Sequence, residues 1–132
     1  MAWVLIVMVL ALVQFYGFGI AVGRARMRYG VAAPATTGNP AFERYFRVQM
    51  NTLEQLVAFL PGIWLFAQFI EPRWAAALGV VYLVGRQLYF MGYVKDPKSR
   101  SLGYALTVLP IFIMLGGVLY AAAKMLLLTY RS

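Results

Sequence analysis

The sequence contains neither cysteine nor histidine. These absences exclude disulfides and thiolate nucleophiles, and they remove the ligands of most zinc, iron and copper sites. Acidic residues are also scarce, with only four in 132 residues, which disfavours a metal centre built from several carboxylates. The sequence therefore predicts no metal site.

Charged residues make up only 12% of the chain, about half the fraction found in soluble domains. Hydrophobic residues make up 63%. A soluble fold of this length could not bury so much apolar surface, so the surplus must face lipid. The net charge of +8 comes from basic residues in short breaks between long apolar runs, an arrangement that argues against nucleic-acid binding. We predict an integral membrane protein with no nucleic-acid partner.

Four long apolar stretches account for most of the chain. The first reaches Gly23 without a charge, is long enough to cross a bilayer, and lacks the basic segment that opens a signal peptide. No stretch keeps the alternation of a strand, so the fold class is predicted to be an all-α bundle of four transmembrane helices. The predicted helices cover about 2–24, 40–69, 74–94 and 97–129, within a single domain over 1–132.

The starts of two helices are predicted from residue pairs in which an N-capping residue is followed by proline. Asn39-Pro40 and Asp96-Pro97 both have this pattern, because proline suits the first position of a helix. Residues 71–73 are interpreted as a tight turn. Prolines within the second and fourth helices, Pro61 and Pro110, are expected to bend them.

Basic residues are unequally shared between the two ends of the predicted bundle. One end has Arg24, Arg26, Arg28, Arg44, Lys95, Lys98 and Arg100, and the other has Arg73, Lys124 and Arg131. The richer end is expected to face the cytoplasm, which places both termini on the opposite side.

Charged and polar residues within membrane helices are costly and are therefore functional candidates. Arg47, Asn51 and Glu54 share one face of the second helix, and Arg86, Tyr89 and Tyr93 share one face of the third. With Arg100 they are predicted to converge on a polar cavity near the cytoplasmic interface.

Structural roles remain open for each of these residues. Arg47 and Glu54 could neutralise each other, and the tyrosines could anchor the helices at the headgroups. Arg86 is interpreted mainly as a tie between helices, through carbonyls or a glutamate. Arg100 could be an ordinary residue of the basic loop.

Several arginines around one glutamate suit a small anion that also carries an ammonium group. Glutathione has two carboxylates, one ammonium group and a thiol, so it matches this arrangement. Other amphipathic anions match almost as well, and the charges alone do not choose among them.

Two segments carry a resemblance to a known family. Residues 39–54, NPAFERYFRVQMNTLE, and residues 81–93, VYLVGRQLYFMGY, resemble the fingerprint of the MAPEG family, the membrane-associated proteins in eicosanoid and glutathione metabolism. The resemblance extends over nearly the whole chain. It implies a homotrimer that holds glutathione, as co-substrate, between neighbouring subunits in the cytoplasmic half of the bilayer.

The resemblance also implies roles for individual residues. The residues that it assigns to glutathione binding are Arg26, Arg47, Gln49, Asn51, Glu54, Tyr89 and Tyr93. Glu54 would take the ammonium group, and Arg100 matches the arginine that stabilises the thiolate in the leukotriene C synthase branch. A hydrophobic electrophile or lipid hydroperoxide would approach from the membrane lipid along a groove with Leu102, Ala105 and Phe112 as candidate linings.

One departure from that branch concerns substrate range. The second of its paired arginines falls on Met27 here, which disfavours a dedicated leukotriene activity. The resemblance then implies a detoxifying glutathione transferase, with glutathione-dependent peroxidase activity left open. The compact chain and its short loops suggest a bacterial member, and the distribution of basic residues then predicts a bacterial inner membrane with the active site facing the cytoplasm.

Two other functions fit the sequence less well. A non-catalytic lipid-binding or scaffold protein of the same family is the alternative, although such relatives lack an arginine at the position of Arg100. A small multidrug transporter is disfavoured, because that class places a glutamate in the first helix and none occurs here.

Overall fold

The computed structural model describes residues 1–131, within which the chain forms four long α-helices. They are α1 (Ala2–Tyr29), α2 (Pro40–Phe69), α3 (Pro72–Lys95) and α4 (Ser101–Arg131), and a 3₁₀ turn over Pro97–Arg100 connects the last two. No strand occurs in this part of the chain, and all four helices are long and apolar enough to cross a membrane. The prediction of an all-α, four-helix membrane fold is confirmed.

The helix starts share one capping chemistry. The Asn39 side chain accepts a hydrogen bond from the Phe42 N–H at 3.0 Å, and Asp96 accepts one from the Lys98 N–H at 3.1 Å, so both predicted N-caps are confirmed. Glu71 caps α3 in the same way. Residues 71–73, interpreted from the sequence as a turn, therefore begin α3 two residues earlier than predicted.

The largest difference from the predicted boundaries is at the end of α1. The predicted helix ended at about residue 24 because several arginines follow. Arginine is a strong helix former, however, and the helix continues to Tyr29. It ends at Gly30, whose φ of 70° closes the helix in the left-handed conformation that glycine readily adopts.

The beginning of α4 also differs. A helix was expected from Pro97. Instead, Pro97–Arg100 form a 3₁₀ turn, within which the backbone of Ser99 departs from helical geometry. The α-helix starts at Ser101 and runs to Arg131, and neither Pro61 nor Pro110 ends the helix that contains it.

The core lies along the inner faces of all four helices. Its main cluster joins α1 to the later part of α2 and to the first half of α4, with Phe59 stacked on Tyr82 of α3 at a ring-centroid distance of 3.8 Å. A smaller cluster of Phe18, Val48 and Tyr89 lies toward the end of the bundle where α3 finishes. At that end Arg44 donates a hydrogen bond to the Lys95 carbonyl at 2.9 Å, which fastens the start of α2 to the end of α3.

Candidate functional site

A cavity of about 610 Å³ opens between α2, α3, the 3₁₀ turn and α4. Its lining consists of Arg47, Asn51, Tyr89, Tyr93, Arg100, Ser101, Tyr104, Ala105 and Val108. Five of the predicted polar site residues and one predicted groove residue, Ala105, thus lie together around one space.

Helical spacing explains how α2 and α3 each contribute two of these side chains. Arg47 and Asn51 are four residues apart on α2, and so are Tyr89 and Tyr93 on α3, which puts each pair on one helical face. The two tyrosine rings are stacked, with centroids 5.5 Å apart. They form an aromatic wall on the α3 side of the cavity.

Arg100 reaches the cavity because the 3₁₀ turn packs closely on α3. The Ser99 N–H donates to the Asp96 carbonyl at 2.8 Å, and the Ser99 carbonyl lies against Gly92 where a Cβ atom would clash. The turn therefore holds Arg100 at the start of α4, beside the cavity.

Arg86 lies behind the cavity and is fully buried. Its Nη1 donates to Asn51 Oδ1 at 2.9 Å and to Thr52 Oγ1 at 3.1 Å, and its Nε donates to Thr107 Oγ1 at 2.9 Å. The guanidinium also covers the Tyr89 ring at 4.3 Å. Arg86 is therefore a tie between α2, α3 and α4, as the sequence suggested, but its partners are hydroxyl groups and an amide.

This network fixes one lining residue. Because Asn51 Oδ1 accepts a hydrogen bond from Arg86, the amide NH₂ of Asn51 is the group that can donate a hydrogen bond into the cavity. Arg86 Nη2 itself has no hydrogen-bond partner among residues 1–131.

The electrostatic character of the cavity is strongly positive. Arg47 and Arg100 line it, Arg86 lies beneath it, and no carboxylate occurs among the lining residues. Guanidinium groups bind carboxylates through paired, charge-assisted hydrogen bonds. The arrangement suits an anionic ligand of moderate size.

Five of the predicted residues do not line this cavity. Arg26 donates to the Ala35 carbonyl at 2.6 Å and covers the Phe42 ring, and Gln49 packs against Gly19 of α1. Glu54 is exposed on α2 although it lies three residues after Asn51. Leu102 and Phe112 are exposed on the outer surface of α4.

The sequence did not single out three of the lining residues, Ser101, Tyr104 and Val108. Tyr104 had a usable signal, since it follows Arg100 by four residues and therefore shares its helical face.

A second cavity, of about 390 Å³, lies along α1 beside Arg24, Arg28 and Tyr45. Neither it nor a cavity of about 690 Å³ between α1 and α3 contains a predicted site residue. A cavity of about 400 Å³ contains one, Arg26, so the cavity between α2, α3 and α4, with six, is the candidate site.

Comparison with known proteins adds independent support for the family. The sequence pattern of the MAPEG family matches residues 4–120. The chain belongs to the MAPEG family. The resemblance carried by residues 39–54 and 81–93 is thus confirmed, and MAPEG membership together with the four apolar helices establishes an integral membrane protein.

Several MAPEG relatives are similar over most of the chain. An uncharacterised protein of Synechocystis is 50% identical over 117 residues, covering 89% of this chain and 85% of the relative. Human microsomal glutathione S-transferase 2 is 39% identical over 114 residues, or 85% of this chain and 78% of the relative. Bovine leukotriene C4 synthase is 40% identical over 89 residues, or 67% and 59%.

Proposed function

We propose that this protein is a membrane-bound glutathione transferase that activates the glutathione thiol for conjugation to hydrophobic electrophiles, in a detoxifying role. The observation that carries the proposal is the convergence of Arg47, Asn51 and Arg100 on one cavity without a carboxylate. The similarity to a microsomal glutathione S-transferase supports the choice of glutathione among the anions that such a cavity suits.

The proposed binding roles follow from the chemistry of each side chain. Arg47 and the amide NH₂ of Asn51 can donate hydrogen bonds to a carboxylate of the tripeptide. Tyr89 and Tyr93 provide hydroxyl groups and aromatic surface. Glu54 would take the ammonium group, although it is exposed rather than in the cavity lining.

Arg100 is proposed to stabilise the thiolate. A free thiol has a pKa of ~8.5, so most of it is protonated at neutral pH. A guanidinium keeps its charge and therefore favours the thiolate without acting as a base. Lowering the thiol pKa by ~2 units needs about 2.7 kcal/mol, which one charge-assisted contact in a partly desolvated site can supply.

Arg26 and Gln49 are proposed to act on the cavity of a neighbouring subunit in a homotrimer. In their own chain, Arg26 is engaged with the connection between α1 and α2, and no α1 residue is among the lining of the cavity. The basic residues clustered at this end support an orientation in a bacterial inner membrane with the cavity toward the cytoplasm and both termini on the other side.

A glutathione-dependent reduction of lipid hydroperoxides is proposed as a second use of the same thiolate. The alternative function is a non-catalytic lipid-binding or scaffold protein, which the exposed apolar side chains Leu102 and Phe112 would suit. The location of Arg100 in the cavity lining favours chemistry, because lipid binding alone requires no guanidinium there.

The test is the ultraviolet difference spectrum of the purified, detergent-solubilised protein on addition of glutathione at neutral pH. We expect a saturable thiolate band in the wild-type protein and loss of that band in Arg100→Ala, since the neutral side chain cannot stabilise the anion. Lys98→Ala is the matched control, because Lys98 is an exposed cation two residues away that does not line the cavity.

Each result has a distinct meaning. Calorimetric binding of glutathione without a thiolate band would favour the non-catalytic alternative. A full band in Arg100→Ala would overturn the role of Arg100, and absence of any binding would overturn glutathione as the ligand.

A further inference from the structure

Tyr104 lies in the cavity next to Arg100, one turn further along α4. The four-residue spacing corresponds to about 6 Å along the helix axis, in the direction that leads from the connection between α3 and α4 into the apolar part of α4. Tyr104 therefore occupies the side of the cavity from which an apolar molecule would arrive. Its ring lies 6.3 Å from that of Tyr89, at an angle of 45°.

The Tyr104 hydroxyl is available to a ligand. The side chain is 42% exposed, and within residues 1–131 its hydroxyl forms no hydrogen bond. Tyr89, by contrast, is buried beneath the Arg86 guanidinium.

Tyr104 is also the residue that remains when the other possible proton donors of the cavity are considered in turn. No acidic side chain lines the cavity and the chain has no histidine or cysteine, while an arginine does not release its proton. A phenol is protonated at neutral pH and is a stronger acid than the hydroxyl of Ser101. Of the phenols in the lining, Tyr89 is buried and Tyr93 lies on the α3 side, where it is proposed to bind the tripeptide, so Tyr104 remains as the donor on the helix that follows Arg100.

We propose that Tyr104 is a catalytic proton donor to electrophiles that release an oxyanion. The inference rests on the proposed function, since it assumes that Arg100 holds the glutathione thiolate. Epoxides and hydroperoxides are electrophiles of this kind, because the attack of a thiolate on either one leaves an oxyanion.

The two reactions use Tyr104 in the same way. With an epoxide, the thiolate sulfur forms a bond to carbon, the carbon–oxygen bond breaks, and the oxygen takes the phenol proton as it gains the electron pair. With a hydroperoxide, the sulfur bonds to the terminal oxygen and the oxygen–oxygen bond breaks. The departing alkoxide takes the proton and becomes an alcohol.

The products balance in both cases. The phenolate recovers its proton from water through the open side of the cavity. In the hydroperoxide reaction the glutathione sulfenic acid then condenses with a second glutathione to give the disulfide and water, so sulfur is oxidised as the peroxide is reduced.

An aryl chloride provides an internal comparison. Chlorodinitrobenzene releases chloride, which needs no proton, so its conjugation uses the thiolate but not the donor. We therefore expect Tyr104→Phe to lower kcat/KM about 100-fold for styrene oxide and cumene hydroperoxide, and to lower it far less, by no more than about threefold, for chlorodinitrobenzene.

Tyr120→Phe is the matched control, because Tyr120 lies on the same helix about 24 Å away and is 69% exposed. It should retain the rates of the wild-type protein for all three substrates. Comparable losses for all three in Tyr104→Phe would show that Tyr104 serves the thiolate or the fold, and would overturn the proposal.

The remaining outcomes separate this proposal from the proposed function. A wild-type protein that conjugates chlorodinitrobenzene but neither opens the epoxide nor reduces the hydroperoxide would overturn only the proposal on Tyr104. A wild-type protein that is inactive toward all three would overturn the proposed function, and the role of Tyr104 with it.

Discussion

Arg86 is a buried guanidinium whose hydrogen-bond partners are all neutral. Thr52 and Thr107 accept from it while they donate to carbonyls of their own helices, at 2.7 Å and 2.8 Å. Removal of Arg86 therefore strands neither hydroxyl group, and it leaves no buried charge uncompensated, because none of its hydrogen-bond partners is charged. The bond to Asn51 is the one with a functional consequence.

Arg86→Met should bind glutathione about tenfold more weakly, a loss of about 1.4 kcal/mol, because the Asn51 amide loses its fixed orientation. The thermal unfolding midpoint should change by only a few degrees. Calorimetry and a thermal melt of the solubilised protein measure both effects.

Thr107→Val is the control for this experiment, since it removes a partner of Arg86 and leaves the bond to Asn51. It should keep the affinity of the wild-type protein. If Arg86→Met also kept it, Asn51 would need no positioning residue.

Sequence spacing predicted the pairs Arg47–Asn51 and Tyr89–Tyr93, because each pair occupies one face of one helix. It also put Glu54 on that face of α2, but the lining from α2 consists of Arg47 and Asn51, and Glu54 is exposed. Tyr104 was not predicted although its spacing from Arg100 was a usable signal, because α4 is apolar on nearly all sides and its hydropathy alone does not reveal which side faces the cavity.

Two glycines allow α3 and α4 to approach each other closely. A Cβ atom on Gly103 would lie 2.6 Å from the Tyr89 Cα, and one on Gly85 would lie 2.8 Å from the Leu106 Cβ. Tyr89 and Arg100 belong to opposite sides of this contact. The spacing of the two helices therefore sets the width of the cavity.

Gly103→Ala should lower the free energy of unfolding by about 1–3 kcal/mol, because backbone atoms of α3 must move away from the added methyl group. The widened cavity should also lower glutathione turnover about 10- to 100-fold. Thermal unfolding and initial rates measure the two effects.

Gly116→Ala is the comparison on the same helix. A Cβ atom there meets nothing within 4 Å, and alanine is the better helix former, so stability should be equal or higher. Equal behaviour of the two variants would contradict a role for the close contact.

At the level of elements, capping signals in the sequence were more informative than charge. The pairs at residues 39–40 and 96–97 predicted where a helix or turn begins, and the pair at 71–72 would have done the same for α3. The arginines after residue 23 suggested an end to α1 because they mark the bilayer surface, but a helix can continue into water until a residue such as Gly30 closes it.

The molecule as a whole has its cationic cavity on one side and two of the predicted glutathione ligands, Arg26 and Gln49, in contacts outside it. A protomer with this division fits the proposed homotrimer, in which each site draws on two chains. The sequence predicted the four-helix fold from hydropathy alone. It could not locate the surfaces between subunits, because lipid and a neighbouring subunit both select apolar side chains.

Co-expression of chains carrying Arg100→Ala with chains carrying Arg26→Ala should restore glutathione turnover that neither variant has alone. When the two arginines come from different subunits, random mixing leaves both intact in about one quarter of all sites, and in about one third of the sites of the mixed trimers that carry both tags. The rate of the doubly tagged, purified mixture measures the restoration.

Arg100→Ala mixed with Asn51→Ala is the matched control, since both changes fall in the same cavity and every site in the mixture remains defective. A first mixture as inactive as this control would place Arg26 and Arg100 in the site of a single chain.

The buried Arg86 also bears on how the chain enters the membrane during synthesis. A lone guanidinium near the middle of a spanning helix costs about 3 kcal/mol on insertion, so α3 is disfavoured from inserting into the bilayer alone. Its partners Thr52 and Thr107 lie in the segments made before and after it. α3 therefore reaches its final stability in the bilayer only when α4 has been released from the ribosome, which makes assembly of this bundle a late event in translation.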